Sequence, residues 1–455
     1  MMNAVRICPV GFFDRDGMLP PMGSFFAELA RQASANARRE VEAYAREIPE
    51  FRFLDTNSRA RAETLEYALW LRRRTVELSP DNGELSDDDL GYIAAIGESR
   101  AAAGMSLDAR QRVLRLHTSL MLREINEATE AQRGAGVDEL MRMMSWFAPQ
   151  GERGIRAYSQ GFVTALRHRL PYAEQAALLA RSLLNGDPIS AELASALGME
   201  LPERCAVTVI RVPDRPIGDL DLEREIEALV KTHHAPITWC PGSGSRSGEL
   251  IALIPLHPPT PQASPGPGTA ETVQPHSVPD LAPDLLLPDL VSDLVRDFVQ
   301  ALGRPCAAGT VTSPLSEVAD ALDLARRISR AAPLRPASAR LRPHTVSDVF
   351  VELAVADAPF VDEWLHAVGR SLQPGPDLLV TLDAYYHHDM HRGATAAALN
   401  VHPRTLDYRL RRVRELTGID PGSTRGVRVF SSVVTRRLSE AWHGQGLRGA
   451  TRPAS

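Results

Sequence analysis

From Phe25 to about Leu184 the apolar residues recur at helical spacing. Val113, Leu116 and Leu120 form one stripe and Leu114, Met121 and Ile125 another, while β-branched runs are scarce. This predicts an all-helical domain over residues 25–186, after an irregular N-terminus at 1–24. Breaks are expected at Ser79-Pro80-Asp81-Asn82-Gly83, at Gly134-Ala135-Gly136 and at Pro149-Gln150-Gly151. At Asn185-Gly186-Asp187-Pro188 the period changes. Strand-like runs follow at Ala206 to Val212, Ile237 to Cys240, Leu250 to Leu256 and Cys306 to Val311, with helical runs at Leu222 to Lys231, Asp289 to Leu302 and Leu315 to Arg330. That βαββαβα order predicts a ferredoxin-like α/β sandwich over 187–332.

The stretch from Pro255 to Pro288 holds ten prolines and almost no aromatic residue, so it reads as a disordered insertion that cannot offset its ordering entropy. A second Pro-rich hinge, Ala332 to Pro343, leads to helices at about Val346 to Leu372, making 333–375 a hinge with linker helices. Pro374-Gly375-Pro376 then opens a domain over 376–442, with a flexible tail at 443–455. Within that domain Leu378 to Tyr386 is amphipathic, with Leu379, Leu382 and Tyr386 spaced to face a core. A short helix, Arg392 to Leu399, carries Ala394, Ala396, Ala397 and Ala398, whose small side chains let another helix cross closely. Asn400-Val401-His402 forms a turn in which Asn suits a left-handed conformation, and Pro403 suits a helix start. The next helix puts Leu406, Leu410 and Val413 on one face and five arginines against one aspartate among the rest of residues 404–414. Two helices joined by a three-residue turn, the second so charged, are the geometry that fits a DNA major groove.

Composition sharpens this picture. Across 455 residues the net charge is −6, which alone does not favour nucleic acid. Its distribution does: residues 376–455 carry twelve arginines against seven acids, a local +5. No apolar run approaches the roughly 18 residues of a membrane span, and charged residues interrupt the start, so a cytoplasmic chain without membrane contact is expected. Cys8, Cys205, Cys240 and Cys306 lie far apart, as reduced, buried thiols would. Lys231 is the one lysine, in no recognisable motif, which disfavours phosphate-loop and Schiff-base chemistry.

The runs Leu378 to Tyr386, Ala394 to His402 and Arg404 to Asp420 together resemble the C-terminal helix-turn-helix of PucR/CdaR-type bacterial transcription regulators, with Pro403 where that family more often has Arg. The βαββαβα segment, with Ala307-Ala-Gly-Thr-Val-Thr-Ser-Pro-Leu315, is similar to the degenerate GGDEF-like domain of the same regulators, and Ala101 to Leu107 with the helix after it to an RsbR-type helical sensory domain. The resemblance implies a multidomain α plus α/β regulator that binds double-stranded DNA as a homodimer or higher homo-oligomer, under an unidentified small-molecule or protein effector. Arg392 and Thr395 would position the phosphate backbone. His402, Arg404, Thr405, Tyr408 and Arg409 would approach base edges or adjacent phosphates, and Arg411, Arg412 and Arg414 would hold the backbone.

Enzymatic readings find little support. A diguanylate cyclase needs a Gly-Gly-Asp/Glu-Glu-Phe hairpin to admit nucleotide and hold metal; here the hairpin reads Gly244-Ser-Arg-Ser-Gly248-Glu249-Leu250. The run Gly242 to Gly248 matches neither nucleotide-binding glycine pattern and precedes a strand rather than opening a helix. His387, His388, Asp389 and His391 are the dense histidine group, but adjacent residues on a helix diverge and no Cys or Glu at i+4 completes a site. No catalytic residue, metal or cofactor is expected. The alternative to a DNA-binding regulator is a signalling scaffold that docks partner proteins through its helical domain.

Overall fold

The computed structural model describes residues 24–131, 137–213, 222–242, 247–256, 289–335, 342–375 and 377–440. The irregular N-terminus with Cys8, the break at Gly134–Gly136, the centre of the Gly/Ser hairpin, the body of the Pro-rich insertion and the C-terminal tail lie outside the described residues. The chain divides into two compact units, residues 1–169 and 170–455.

The first unit is helical throughout: α1 (Phe25–Glu47), α2 (Ser58–Leu78), α3 (Asp87–Ala102), α4 (Leu107–Ala131) and α5 (Val137–Arg169). Ser24 caps α1 by accepting from the Ala27 N–H, and Ser86 with Asp89 forms a capping box at α3. The expected break after Leu78 is a short 3-10 turn ending at Asn82 in the left-handed region. The break expected at Pro149 does not occur, because α5 runs through it. Pro149 removes one N–H, but the carbonyl it leaves free belongs to exposed Ser145. On either side the helix is clamped to the preceding turn, Trp146 donating to the Gly83 carbonyl and Gln150 accepting from the Leu85 N–H. Gly97 and Gly161 let α3 and α5 touch backbone to backbone; a Cβ on Gly161 would collide with the Ala94 carbonyl.

A charged network crosses this unit's interior. Buried Arg72 of α2 joins Glu40 of α1 (2.5 Å) and Glu124 of α4 (2.6 Å), while Glu40 also takes the Tyr44 hydroxyl and His117 Nδ1 (2.8 Å). Burial alone would raise the Glu40 pKa; His117 and Arg72 beside it hold it well below the usual carboxylate range.

The second unit opens with α6 (Tyr172–Leu184) and α7 (Ser190–Leu197), then β1 (Arg204–Val212), α8 (Leu222–His233), β2 (Ile237–Pro241), β3 (Gly248–Leu256), α9 (Asp289–Leu302), β4 (Ala307–Pro314) and α10 (Val318–Ala331). The four strands form an antiparallel sheet in the order β2-β3-β1-β4, with Val207 opposite Leu253 and Thr208 opposite Thr310. This is the ferredoxin-like arrangement read from the element order. β1 is buried almost without interruption, which requires cover on both faces; α10 and α9 pack on it, α6 packs on β2, and α8 packs on α9. Thus α6, which its helical period groups with the N-terminal helices, belongs with the sheet. Gly309 brings β4 against the α10 backbone. Cys205, Cys240 and Cys306 are free thiols, and burial pushes Cys205 up to about 11 and Cys306 up to about 12.

The expected hinge is stitched to the sheet at both ends. Arg335 exchanges backbone hydrogen bonds with Cys306, and His344 bonds to Ala308 and Thr310 along β4. Next, α11 (Val346–Ala356) and α12 (Pro359–Ser371) are not free linkers, because Val355, Leu365 and Leu372 enter the C-terminal hydrophobic core. A further bond runs from the Leu334 N–H to the Leu438 carbonyl (3.4 Å).

Replacing Arg72 with Met should strand Glu124 as a buried charge without its cation and leave Glu40 with His117 and the Tyr44 hydroxyl alone, costing about 3–5 kcal/mol in chemical denaturation. Because the folded Glu40 pKa is depressed, its contribution is present above the unfolded value of about 4.3 and fades as pH falls toward the folded one. A variant as stable as the parent at neutral pH would contradict this account of the network.

Candidate nucleic-acid interface

The C-terminal domain is built from α13 (Leu378–His387), α14 (Arg392–Ala398), α15 (Pro403–Thr417) and α16 (Thr424–Glu440). One core joins Leu378, Leu382 and Tyr385 of α13, Ala396 of α14, Leu406, Leu410 and Val413 of α15, and Phe430, Val433 and Val434 of α16. The expected 406/410/413 stripe is therefore buried. Leu379 and Tyr386, read as core-facing, are only partly buried, and the neighbouring positions 378 and 385 carry the contact.

Each turn is set by local chemistry. Between α13 and α14, Asp389 and Met390 adopt left-handed conformations, and the Met390 N–H returns to the Tyr385 carbonyl (2.8 Å). His391 then caps α14, its Nδ1 accepting from the Ala394 N–H (3.0 Å). Between α14 and α15, Asn400 is left-handed as its side chain permits, the Val401 N–H bonds to the Ala396 carbonyl (3.0 Å), and Val401 packs on the core. His402 caps α15 through Nδ1 to the Arg404 N–H (3.2 Å), and Pro403 is the first helical residue. Gly418, at φ 71°, ends α15. The histidine cluster is thus partly accounted for by capping; among the described residues no group of three or more metal-ligating side chains converges.

The ten residues read as DNA contacts fall into distinct environments. Arg404, Thr405, Tyr408 and Arg411 are exposed on α15, with Tyr408 at 57%. Residues 404, 408 and 411 make one stripe opposite the buried leucines. Arg404 and Arg411 have no carboxylate partner among the described residues. His402 is exposed beside them at the helix start. Arg414 and Arg392 are exposed with loose partners, Asp420 at 3.7 Å and Asp407 at 3.4 Å, and half-buried Arg412 meets Glu415 at 3.0 Å.

Two residues stand apart. Thr395 is fully buried, its hydroxyl donating to the His391 carbonyl (2.8 Å), so it cannot position a phosphate; one turn into α14 its side chain faces the core. Arg409 is largely withdrawn, bonding Asp377 (3.1 Å) and the Thr381 hydroxyl (3.2 Å) at the start of α13. It braces α15 against α13. Sequence reasoning missed Asp377 and Thr381 as its partners because 32 and 28 residues separate them from Arg409, beyond any local pattern.

Three family models match the chain. The PucR C-terminal helix-turn-helix domain matches residues 378–430, the RsbT co-antagonist protein rsbRD N-terminal domain residues 34–176, and the GGDEF-like domain residues 185–331. A carbohydrate diacid regulator from Escherichia coli (strain K12) is 49% identical over 43 residues, which is 10% of this chain and 11% of that protein. The chain therefore spans about a tenth of that relative's length. The crystal structure of a regulator of polyketide synthase expression from Bifidobacterium adolescentis overlaps 62% of this chain and 98% of its own at 17% identity, with a TM-score of 0.24. No helix among the described residues is long and apolar enough to cross a membrane.

The two kinds of arginine should separate in thermal melts of the full chain. Arg409→Ala should cost about 0.5–1 kcal/mol by removing a half-exposed brace, whereas Arg404→Ala should leave the melting temperature unchanged. Equal melting temperatures for the two variants would remove the brace.

Proposed function

We propose that this chain, which combines an RsbRD-type N-terminal domain, a GGDEF-like domain and a PucR C-terminal helix-turn-helix, is a DNA-binding transcriptional regulator whose helix α15 enters the major groove. The observation that carries the reading is the stripe of Arg404, Tyr408 and Arg411, outward and without carboxylate partners among the described residues, directly opposite the buried 406/410/413 stripe. A rigid helix with its apolar side seated and its cationic side free can approach a duplex without unfolding anything.

Within this reading His402, Arg404, Thr405 and Tyr408 face base edges or the phosphates beside them. Arg411, Arg412, Arg414 and Arg392 contact the backbone, the last three after giving up solvent-exposed ion pairs that cost little to exchange. Arg409 acts indirectly by holding α15 in place. A homodimer is expected, since one short recognition module contributes little affinity and two-fold pairing lets two modules read half-sites about one helical turn apart. The helical N-terminal domain is the input. The GGDEF-like domain takes part without turnover. Of the cyclase hairpin only Gly248-Glu249 is retained, and the Glu249 carboxylate is held by Arg326 (2.5 Å) rather than left for a metal.

The test is electrophoretic mobility with duplex DNA from upstream of the chain's own gene over a salt series. If a dimer neutralises roughly eight phosphates, log affinity should fall against log salt with a slope near −7. Arg404→Ala should weaken specific binding by about 1–3 kcal/mol per half-site, and Arg411→Ala should lower affinity for all sequences alike and make the slope shallower by about two, one contact being lost from each protomer. A flat salt response, with partner proteins recovered instead, would replace this reading with that of a signalling scaffold.

A further inference from the structure

The first unit contains a cavity of about 420 Å³ between α2, α3 and the turn that follows α1, within the range of small-molecule sites. Its wall is largely apolar, including Phe51, Phe53, Tyr67, Ile96 and Met105, with Arg100 among the lining residues. Arg100 is partly buried, and its surroundings are unusual for a cation. Its Cζ lies 5.4–5.9 Å from the ring centroids of Tyr44, Phe51, Tyr67 and Tyr158, and Nη1 reaches the Tyr158 hydroxyl at 3.3 Å. Among the described residues no carboxylate pairs with it.

Of the two acids on the same wall, Glu63 pairs with Arg59 (2.9 Å), and Glu50 accepts from the Ser106 hydroxyl (2.9 Å) through one oxygen while its other oxygen is buried without a hydrogen-bond partner among the described residues. Aromatic faces attract a guanidinium but do not neutralise it, and a partly desolvated cation without a counter-charge costs free energy that an anion in the cavity would recover. Arg stays protonated, so the charge is permanent. This contrasts with Arg72 in the same unit, which is more deeply buried and is matched by two glutamates.

We propose that this cavity is a binding site for a small organic anion with a flat, apolar body, its acidic group on Arg100 and its body against Phe51, Phe53 and Met105. As an input site it rests on the regulatory reading above; as a binding site it does not. The rings fix the guanidinium, so the site is formed before the ligand arrives, and little ordering opposes binding.

The full chain is titrated with two fluorescent probes that share their rings, 8-anilinonaphthalene-1-sulfonate, an anion, and N-phenyl-1-naphthylamine, which is neutral. The sulfonate should bind at one site per chain and more tightly than the neutral probe. Arg100→Met should weaken the sulfonate by about ten- to a hundredfold, the worth of a charge-assisted hydrogen bond, and leave the neutral probe nearly unchanged. Ala60→Trp, which fills the cavity from α2, should abolish both. Equal binding of the two probes by the parent chain, or an unchanged sulfonate affinity in folded Arg100→Met, overturns the assignment. If circular dichroism shows Arg100→Met unfolded, the parent probe preference and Ala60→Trp decide it, with retained binding in the latter overturning it. The titration uses no DNA, so a chain that takes the sulfonate but shifts no duplex keeps this site and loses the regulatory reading, and the converse result does the opposite.

Discussion

The burial of Leu406, Leu410 and Val413 is the constraint on which the C-terminal domain depends. Once these side chains are seated against α13, α14 and α16, the rotation of α15 about its axis is set, and Arg404, Tyr408 and Arg411 must face outward. The seat itself relies on short-range devices at both ends of the helix, with Asn400 and His402 at the start and Gly418 at the finish. Arg409 adds a long-range tether to Asp377 and Thr381, so one of the helix's arginines serves its orientation.

The same domain is continuous with the sheet that precedes it. Arg335 pairs backbone to backbone with Cys306 beside β4 and donates to Asp383 of α13 through Nη1 and Nη2, at 2.7 and 3.1 Å. Asp362 of α12 binds Arg436 of α16 in the same forked way, at 2.7 and 2.8 Å. Bidentate pairs of this kind restrict direction as well as distance. A change in the GGDEF-like domain near β4 therefore has a short mechanical route to the helix that precedes the helix-turn-helix, through a segment whose proline content reads as a hinge.

Much of this was legible in the sequence. The strands of the sheet, their order and the helices between them follow from the alternation of apolar runs with Gly- and Pro-rich turns. The helix-turn-helix follows from the small residues of α14, Asn400, Pro403 and the leucine spacing. The failures share a cause. Pro149 reads as a break because its missing N–H is a local fact, whereas the bonds of Trp146 and Gln150 that carry α5 through it come from 63 and 65 residues away. Thr395 reads as a surface hydroxyl because polarity is local, while the surrounding core is assembled from helices distant in the sequence.

The sequence by itself determined which segments are helices and strands, most of the turns between them, and that one C-terminal helix carries its apolar and cationic residues on opposite faces, because periodicity, capping and turn chemistry act over a few residues. Only the tertiary structure decided which arginines are free and which are spent. Arg72 is matched by two glutamates, Arg409 by an aspartate and a hydroxyl, and Arg100, among the described residues, by aromatic rings and the Tyr158 hydroxyl. Those distinctions depend on side chains brought together from distant parts of the chain, and the energy of a charge is set by the neighbours it ends beside rather than by its place in the sequence.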